Sequence, residues 1–147
     1  MDSIWTKSVD LPSFPQLQGD KKTDVLIVGG GMAGILCAYF LQKQGIDYVL
    51  VEGRTICSGV TKNTTAKITS QHGLIYHKLV KNMGIEKTGM YLKANQEALQ
   101  TYEELCQKIE CNFERKPSYV YSLDDPWKIE QELSALDEVR FEAHYSK

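Results

Sequence analysis

Apolar positions stay scattered through residues 1–23, where Pro12, Pro15 and the cluster Asp20, Lys21, Lys22 interrupt every candidate run. This stretch therefore reads as an irregular lead-in lying across the surface. Order begins at residues 24–28, where Val25, Leu26, Ile27 and Val28 form a short apolar run, mostly β-branched, of the kind buried on both faces of a parallel sheet. Over residues 32–44 the pattern changes to helical spacing: Ile35, Leu36, Tyr39 and Phe40 recur with the small Ala33 and Ala38, and Gly45 supplies a stop. Residues 48–51 return to a short apolar strand, parallel to the first through a right-handed crossover. The three segments make one β-α-β unit.

Residues 54–71 show neither period. Ser, Thr, Gly, Asn and Lys dominate, which marks a long functional loop. A helical pattern resumes as a short helix over residues 74–82. A long amphipathic helix follows over 85–109, carrying Tyr91, Leu92, Ala98, Leu99, Tyr102, Leu105 and Ile109 on one stripe. Beyond Pro117 the alternation of residues 118–123 predicts a strand. A helix over 126–136, begun by Asp124 or Asp125, and a last short strand over 139–143 come after it. Two isolated strands have little sheet to join, so this tail looks like the opening of a second unit. The expected organisation is lead-in over 1–23, nucleotide-binding portion over 24–116, and the beginning of an incomplete substrate domain over 117–147. The fold class is α/β, built on a Rossmann-like FAD/NAD(P)-binding β-α-β unit with a long amphipathic helix.

The chemistry concentrates where the first strand meets the first helix. Gly29, Gly31 and Gly34 form G-x-G-x-x-G in the one context that gives this pattern weight. Gly29 permits the tight turn, Gly31 has no Cβ to block a pyrophosphate, and Gly34 lets helix and strand pack closely. Met32, Ala33 and Gly34 supply first-turn amides at the positive end of the helix dipole, so an anion needs no basic side chain there. Glu52, about twenty residues on, stands where a carboxylate accepts the hydroxyl hydrogens of an adenosine ribose and repels a 2'-phosphate. That argues against NADP, but does not separate FAD from NAD. The competing reading is a glycine-rich turn with no ligand.

Composition narrows the partners. The chain has 147 residues, 42% of them hydrophobic, which suffices for a packed core. Seventeen basic against nineteen acidic residues leave a net charge of -2, so nothing attracts nucleic acid or anionic lipid in bulk. Cys37, Cys57, Cys106 and Cys111 form no CxxC pair and have no histidines at zinc-ligand spacing, so reduced thiols and no metal are expected. The N-terminus lacks the apolar core of a signal peptide and no stretch is long enough to span a bilayer. A cytoplasmic location away from membranes is the expectation.

The run DVLIVGGGMAGILCAYFLQKQGIDYVLVE, followed by SGVTKNTTAKITSQHG, resembles the D-amino-acid-oxidase-like family of FAD-dependent oxidoreductases, which includes glycine, sarcosine and γ-glutamylputrescine oxidases. The likeness extends from Ile4 onward. It is strongest to bacterial members with a Trp in the lead-in, here Trp5, and a loop close to SGVTxxTTAK. Some of those carry a Rieske domain at the far C-terminus; no Rieske cysteine-histidine pairs occur in this sequence.

The resemblance implies FAD as cofactor and passage of residues 58–67 beside its pyrophosphate and flavin edge. Gly53, Arg54, Gly59, Thr61, Thr64, Thr65, Ala66 and Lys67 then join the cofactor-binding set. On the residues alone, the alternative for the Thr-rich loop is a solvated connection, and Arg54 reads equally as an exposed surface residue. Cys57 reads as a small buried hydrophobe, and His72 and His77 receive no catalytic role. The reaction implied is oxidation of a small-molecule amine or amino acid, with hydride passing to flavin N5 and water hydrolysing the imine. Family members are much longer, so a missing C-terminal portion is expected to complete the site. The alternative is a noncatalytic nucleotide-binding or interaction module, with a homodimer covering the exposed apolar surface.

Overall fold

A computed structural model of the chain describes residues 9–146, so Ile4 and Trp5 lie outside the described residues. It comprises two compact units, one ending at Lys67 and one beginning at Ile68.

The first unit is built on strand β1 (Val25–Val28), helix α1 (Met32–Lys43) and strand β2 (Tyr48–Val51). The strands pair in parallel, with Val25 opposite Tyr48 and Val28 opposite Val51. A 3-10 turn over Val60–Asn63 is the only regular element described in the loop that follows. Gly45 ends α1 as the spacing predicts: it takes a left-handed φ of 68°. Its N–H donates to the Gln42 carbonyl while the Ile46 N–H donates to that of Leu41, closing two of the carbonyls that the last turn leaves open. One expectation fails. Ile27 is buried toward α1, but Leu26 and Val28 are 60% and 79% exposed, so β1 is covered on one face and not on both. Among the described residues, the first-unit sheet has two strands, with one helix packed against it.

The second unit consists of helices α2 (Tyr76–Cys106) and α3 (Pro126–Glu138). Gly84, with φ 82° and ψ 167°, breaks α2 into arms over 76–83 and 85–106, matching the short and long helices read from the pattern. Tyr76, Leu92, Ala135 and Leu136 form the core, with Leu79, Val80, Tyr91 and Phe141 packed on it. Tyr76 and Tyr91 meet edge to face at 6.2 Å.

The α2 N-terminus carries no cap from its own segment, and Glu132 of α3 substitutes. This buried carboxylate accepts the N–H groups of Tyr76 (2.9 Å) and His77 (2.8 Å) and the side-chain amide of Gln71 (2.7 Å). Three donors offset the cost of burying its charge. Burial, and then the charge of Tyr91, push the Tyr76 phenol up; it stays protonated and donates to the Ser70 carbonyl at 2.7 Å.

Neither predicted strand of the tail forms among the described residues. Residues 118–123 find no partner strand, and Tyr119, Tyr121 and Leu123 stand exposed. Residues 139–143 are taken up by the end of α3. Val139 is its C-cap, Arg140 turns left-handed at φ 59°, and the Phe141 N–H donates to the Leu136 carbonyl at 2.9 Å. The apolar side chains that read as a strand are the hydrophobic seal of a helix terminus. Among the described residues no helix is long and apolar enough to cross a membrane.

Candidate functional site

The first unit turns on the passage from β1 into α1. Gly29 adopts φ 109°, which a side chain rarely tolerates, and its N–H donates to the Val51 carbonyl at 2.8 Å, fastening the turn to β2. A Cβ on Gly34 would lie 2.0 Å from the Gly29 carbonyl oxygen and 3.3 Å from Ile27 Cγ2, so this glycine sets how closely helix and strand approach. Gly31 is different. With φ -82° and ψ -175° it needs no special freedom, and a Cβ there would meet nothing nearer than Thr61 Oγ1 at 3.5 Å. It opens into space.

That space is a cleft of about 400 Å³ lined by Val28, Gly29, Gly31, Met32, Ala33, Gly34, Val60, Thr61 and Thr64. It sits over the N-terminus of α1, whose first turn has no acidic residue and no side-chain cap. The Met32 N–H donates to Thr61 Oγ1 at 3.2 Å. The N–H groups of Ala33 and Gly34 have no acceptor among the described residues, so two donors and the positive dipole end remain for an anion. Because its oxygen is the acceptor from Met32, the Thr61 hydroxyl keeps its own hydrogen to donate.

Glu52 directly follows β2. One carboxylate oxygen accepts the Gly30 N–H at 2.8 Å, the other the Arg54 N–H at 2.9 Å. The Gly30 amide, then that of Arg54, hold its carboxyl below the usual carboxylate range; the Arg54 charge acts in the same direction and partial desolvation opposes them. Each oxygen retains a lone pair, so the ionised, exposed carboxylate can still accept ribose hydroxyls.

Of the residues assigned from the sequence, the cleft brings together Gly29, Gly31, Met32, Ala33, Gly34, Thr61 and Thr64. Glu52 joins them through Gly30, whereas Gly53, Arg54, Gly59, Thr65, Ala66 and Lys67 are exposed and do not line the cleft. The residue missed by pattern reading is Ile56, and Cys57, read as a small buried hydrophobe, is only half-buried and joins the turn through its backbone. Cys57, left-handed at φ 57°, donates its N–H to the Gly30 carbonyl at 2.8 Å, and a Cβ on Gly30 would stand 2.7 Å from Ile56 Cγ2. An apolar Ile in an otherwise polar loop was the available signal. Among the described residues no cluster of His, Cys, Asp and Glu could hold a metal ion.

A helix N-terminus with open amides, a glycine with space where a Cβ would point, and a carboxylate at the end of the second strand fit the pyrophosphate and ribose of a dinucleotide. The model of the family described as FAD dependent oxidoreductase matches residues 24–145. The chain belongs to this family.

Among curated proteins, the chain is 38% identical over 126 residues to a putative Rieske 2Fe-2S iron-sulfur protein, YhfW, of Bacillus subtilis, covering 84% of the chain and 25% of that protein. It is 31% identical over 81 residues to p-hydroxybenzoate hydroxylase of Acinetobacter baylyi, covering 50% of the chain and 20% of the hydroxylase. It is 31% identical over 80 residues to mitochondrial glycerol-3-phosphate dehydrogenase of Rattus norvegicus, covering 53% of the chain and 11% of the dehydrogenase. The chain thus spans a quarter or less of the length of these relatives. No solved structure is a significant match. FAD is the cofactor of the family, and the turn, the open amides and Glu52 fit its ADP half.

Proposed function

We propose that this chain supplies the ADP-binding part of a flavin-dependent oxidase of amines or amino acids. The observation that carries the reading is the pair of open amides at Ala33 and Gly34 beneath Gly31, in a cleft whose rim holds the Thr61 hydroxyl. In this reading the first turn of α1 and Thr61 hold the pyrophosphate, Glu52 orients the ribose, and residues 58–67 pass beside the flavin. Flavin, when bound, supplies the two-electron chemistry; the protein binds it, orients it and excludes water.

Glu52 supports a dinucleotide without a 2'-phosphate, which its charge would repel. The substrate class rests on the resemblance carried by residues 24–73. Relatives named as a hydroxylase and as a glycerol-3-phosphate dehydrogenase match parts of the same chain, so the matched portion is common to different reactions and the substrate contacts lie elsewhere.

The test is a visible absorption spectrum of the purified chain before and after adding FAD and removing the excess, with NADH in parallel. A flavin band that travels with the protein supports the reading, and amine screening of the longer polypeptide then addresses the substrate. Protection by NADH instead of FAD in a melting experiment would overturn the cofactor assignment. The exposed Leu26 and Val28 favour a second reading, a noncatalytic module that docks through this face. A stable dimer that retains no flavin would favour it.

A further inference from the structure

Two of the four cysteines meet where α2 ends. Cys106, the last residue of α2, is half-buried; Cys111 is exposed, and its Sγ donates to the Cys106 carbonyl at 3.7 Å. The intervening turn is held by the Lys108 N–H on the Leu105 carbonyl (3.1 Å) and the Ile109 N–H on that of Cys106 (3.4 Å). Burial pushes the Cys106 thiol up, and its hydrogen bond to the Cys111 sulfur and the charge there push it further. The Cys111 sulfur thus lies over the last residue of α2, against the backbone carbonyl of Cys106 itself. Downstream, Arg115 pairs with Glu103 of α2 at 2.7 Å.

We propose that Cys106 and Cys111 form a reversible intramolecular disulfide under peroxide, a thiol switch that fastens the chain leaving α2. Exposure assigns the order. The Cys111 thiolate attacks hydrogen peroxide, the O–O bond breaks, an S–O bond forms, and the departing hydroxide takes a proton to become water. Cys106 loses its thiol proton and its sulfur displaces the hydroxyl from Cys111, which leaves with that proton as a second water. Two thiols and one peroxide thus give one disulfide and two waters; a small-molecule dithiol reverses the change and is itself oxidised.

The experiment treats the intact chain with hydrogen peroxide, blocks remaining thiols with N-ethylmaleimide under denaturing conditions, and maps peptides by mass spectrometry. The expected result is loss of alkylation at Cys106 and Cys111 together, a cross-linked peptide lighter by two hydrogens, alkylation retained at Cys37 and Cys57, and full recovery with dithiothreitol. Cys106→Ser should leave a Cys111 sulfenic acid that dimedone traps. Cys111→Ser, at an exposed position that does not endanger folding, should leave Cys106 alkylatable. Alkylation of both positions after peroxide would overturn the proposal, as would oxidation of Cys111 to the sulfinic acid with Cys106 intact, or cross-links only between chains.

Discussion

Replacing Gly31 and Gly34 separately with alanine divides binding from folding. At Gly34 the new Cβ would lie 2.0 Å from the Gly29 carbonyl oxygen, and both groups belong to the backbone. Reaching 3.0 Å, below which Cβ contacts essentially do not occur, requires α1 to retreat about 1 Å from the turn. Overpacking of this kind costs about 1–3 kcal/mol, and the absence of any flexible atom to yield puts Gly34→Ala near ~3 kcal/mol. At ~4 °C per kcal/mol for a chain of this size, the melting temperature should fall by about 12 °C. At Gly31 the backbone already suits alanine and the nearest atom is at 3.5 Å, so Gly31→Ala should leave stability unchanged or raise it by about 0.4–1 kcal/mol through the unfolded chain. Its methyl group points into the cleft, however, and a lost contact of ~1.4 kcal/mol or more lowers FAD affinity at least tenfold. Circular-dichroism melting without flavin, together with FAD titration read by flavin fluorescence, measures both effects. A Gly31→Ala protein that binds FAD like the parent would refute the assignment of the cleft, and a Gly34→Ala protein that melts with the parent would refute the packing argument.

Glu52 ionises more readily in the folded chain than its ordinary value of 4.5, so its contribution to stability is present above that value and is lost as pH falls through the lower folded value. Glu52→Gln should flatten the melting temperature against pH in this acid window and weaken FAD binding at neutral pH; an unchanged acid profile would remove the carboxylate from the account. Thr61→Val takes the acceptor from the Met32 N–H, which water can replace, so melting should hardly move while FAD affinity drops about 3–10-fold in the same titration. Glu132→Ala leaves the Tyr76 and His77 amides without their acceptor and the Gln71 side chain with only the Gly73 carbonyl, and urea titration should show a loss of ~3 kcal/mol, with Glu132→Gln losing less. Equal stability of Glu132→Ala and the parent would show that the cap is not needed.

Local chemistry was legible in the sequence wherever one short segment determined it. The turn at Gly29, the close approach at Gly34, the stop at Gly45 and the break between the arms of α2 each depend on a glycine and its immediate neighbours. Features fixed by a distant partner were not. An apolar β-branched strand reads alike whether one or both faces are covered, so the exposure of Leu26 and Val28 could not be anticipated. Val139, Arg140 and Phe141 have the composition of a strand, yet a left-handed residue needs only one turn of helix before it to make them a cap. Glu132 looks like any glutamate in an amphipathic helix until the amides of Tyr76 and His77 are brought to it from 56 and 55 residues away.

The same distinction explains why the glycine motif alone understates the site. Gly30 contributes through its backbone on both sides: its N–H holds the Glu52 carboxylate and its carbonyl accepts from Cys57. The missing side chain leaves room for Ile56, whose methyl would otherwise be 2.7 Å from a Cβ. One residue therefore couples the carboxylate proposed for the ribose to the loop that carries Thr61 over the open amides of α1. A chain with the glycine spacing but no Glu52 or Ile56 would keep its turn and lose that junction. For this reason the register of Glu52 and the loop with the turn is a stronger sign of a dinucleotide site than the spacing of the glycines by itself.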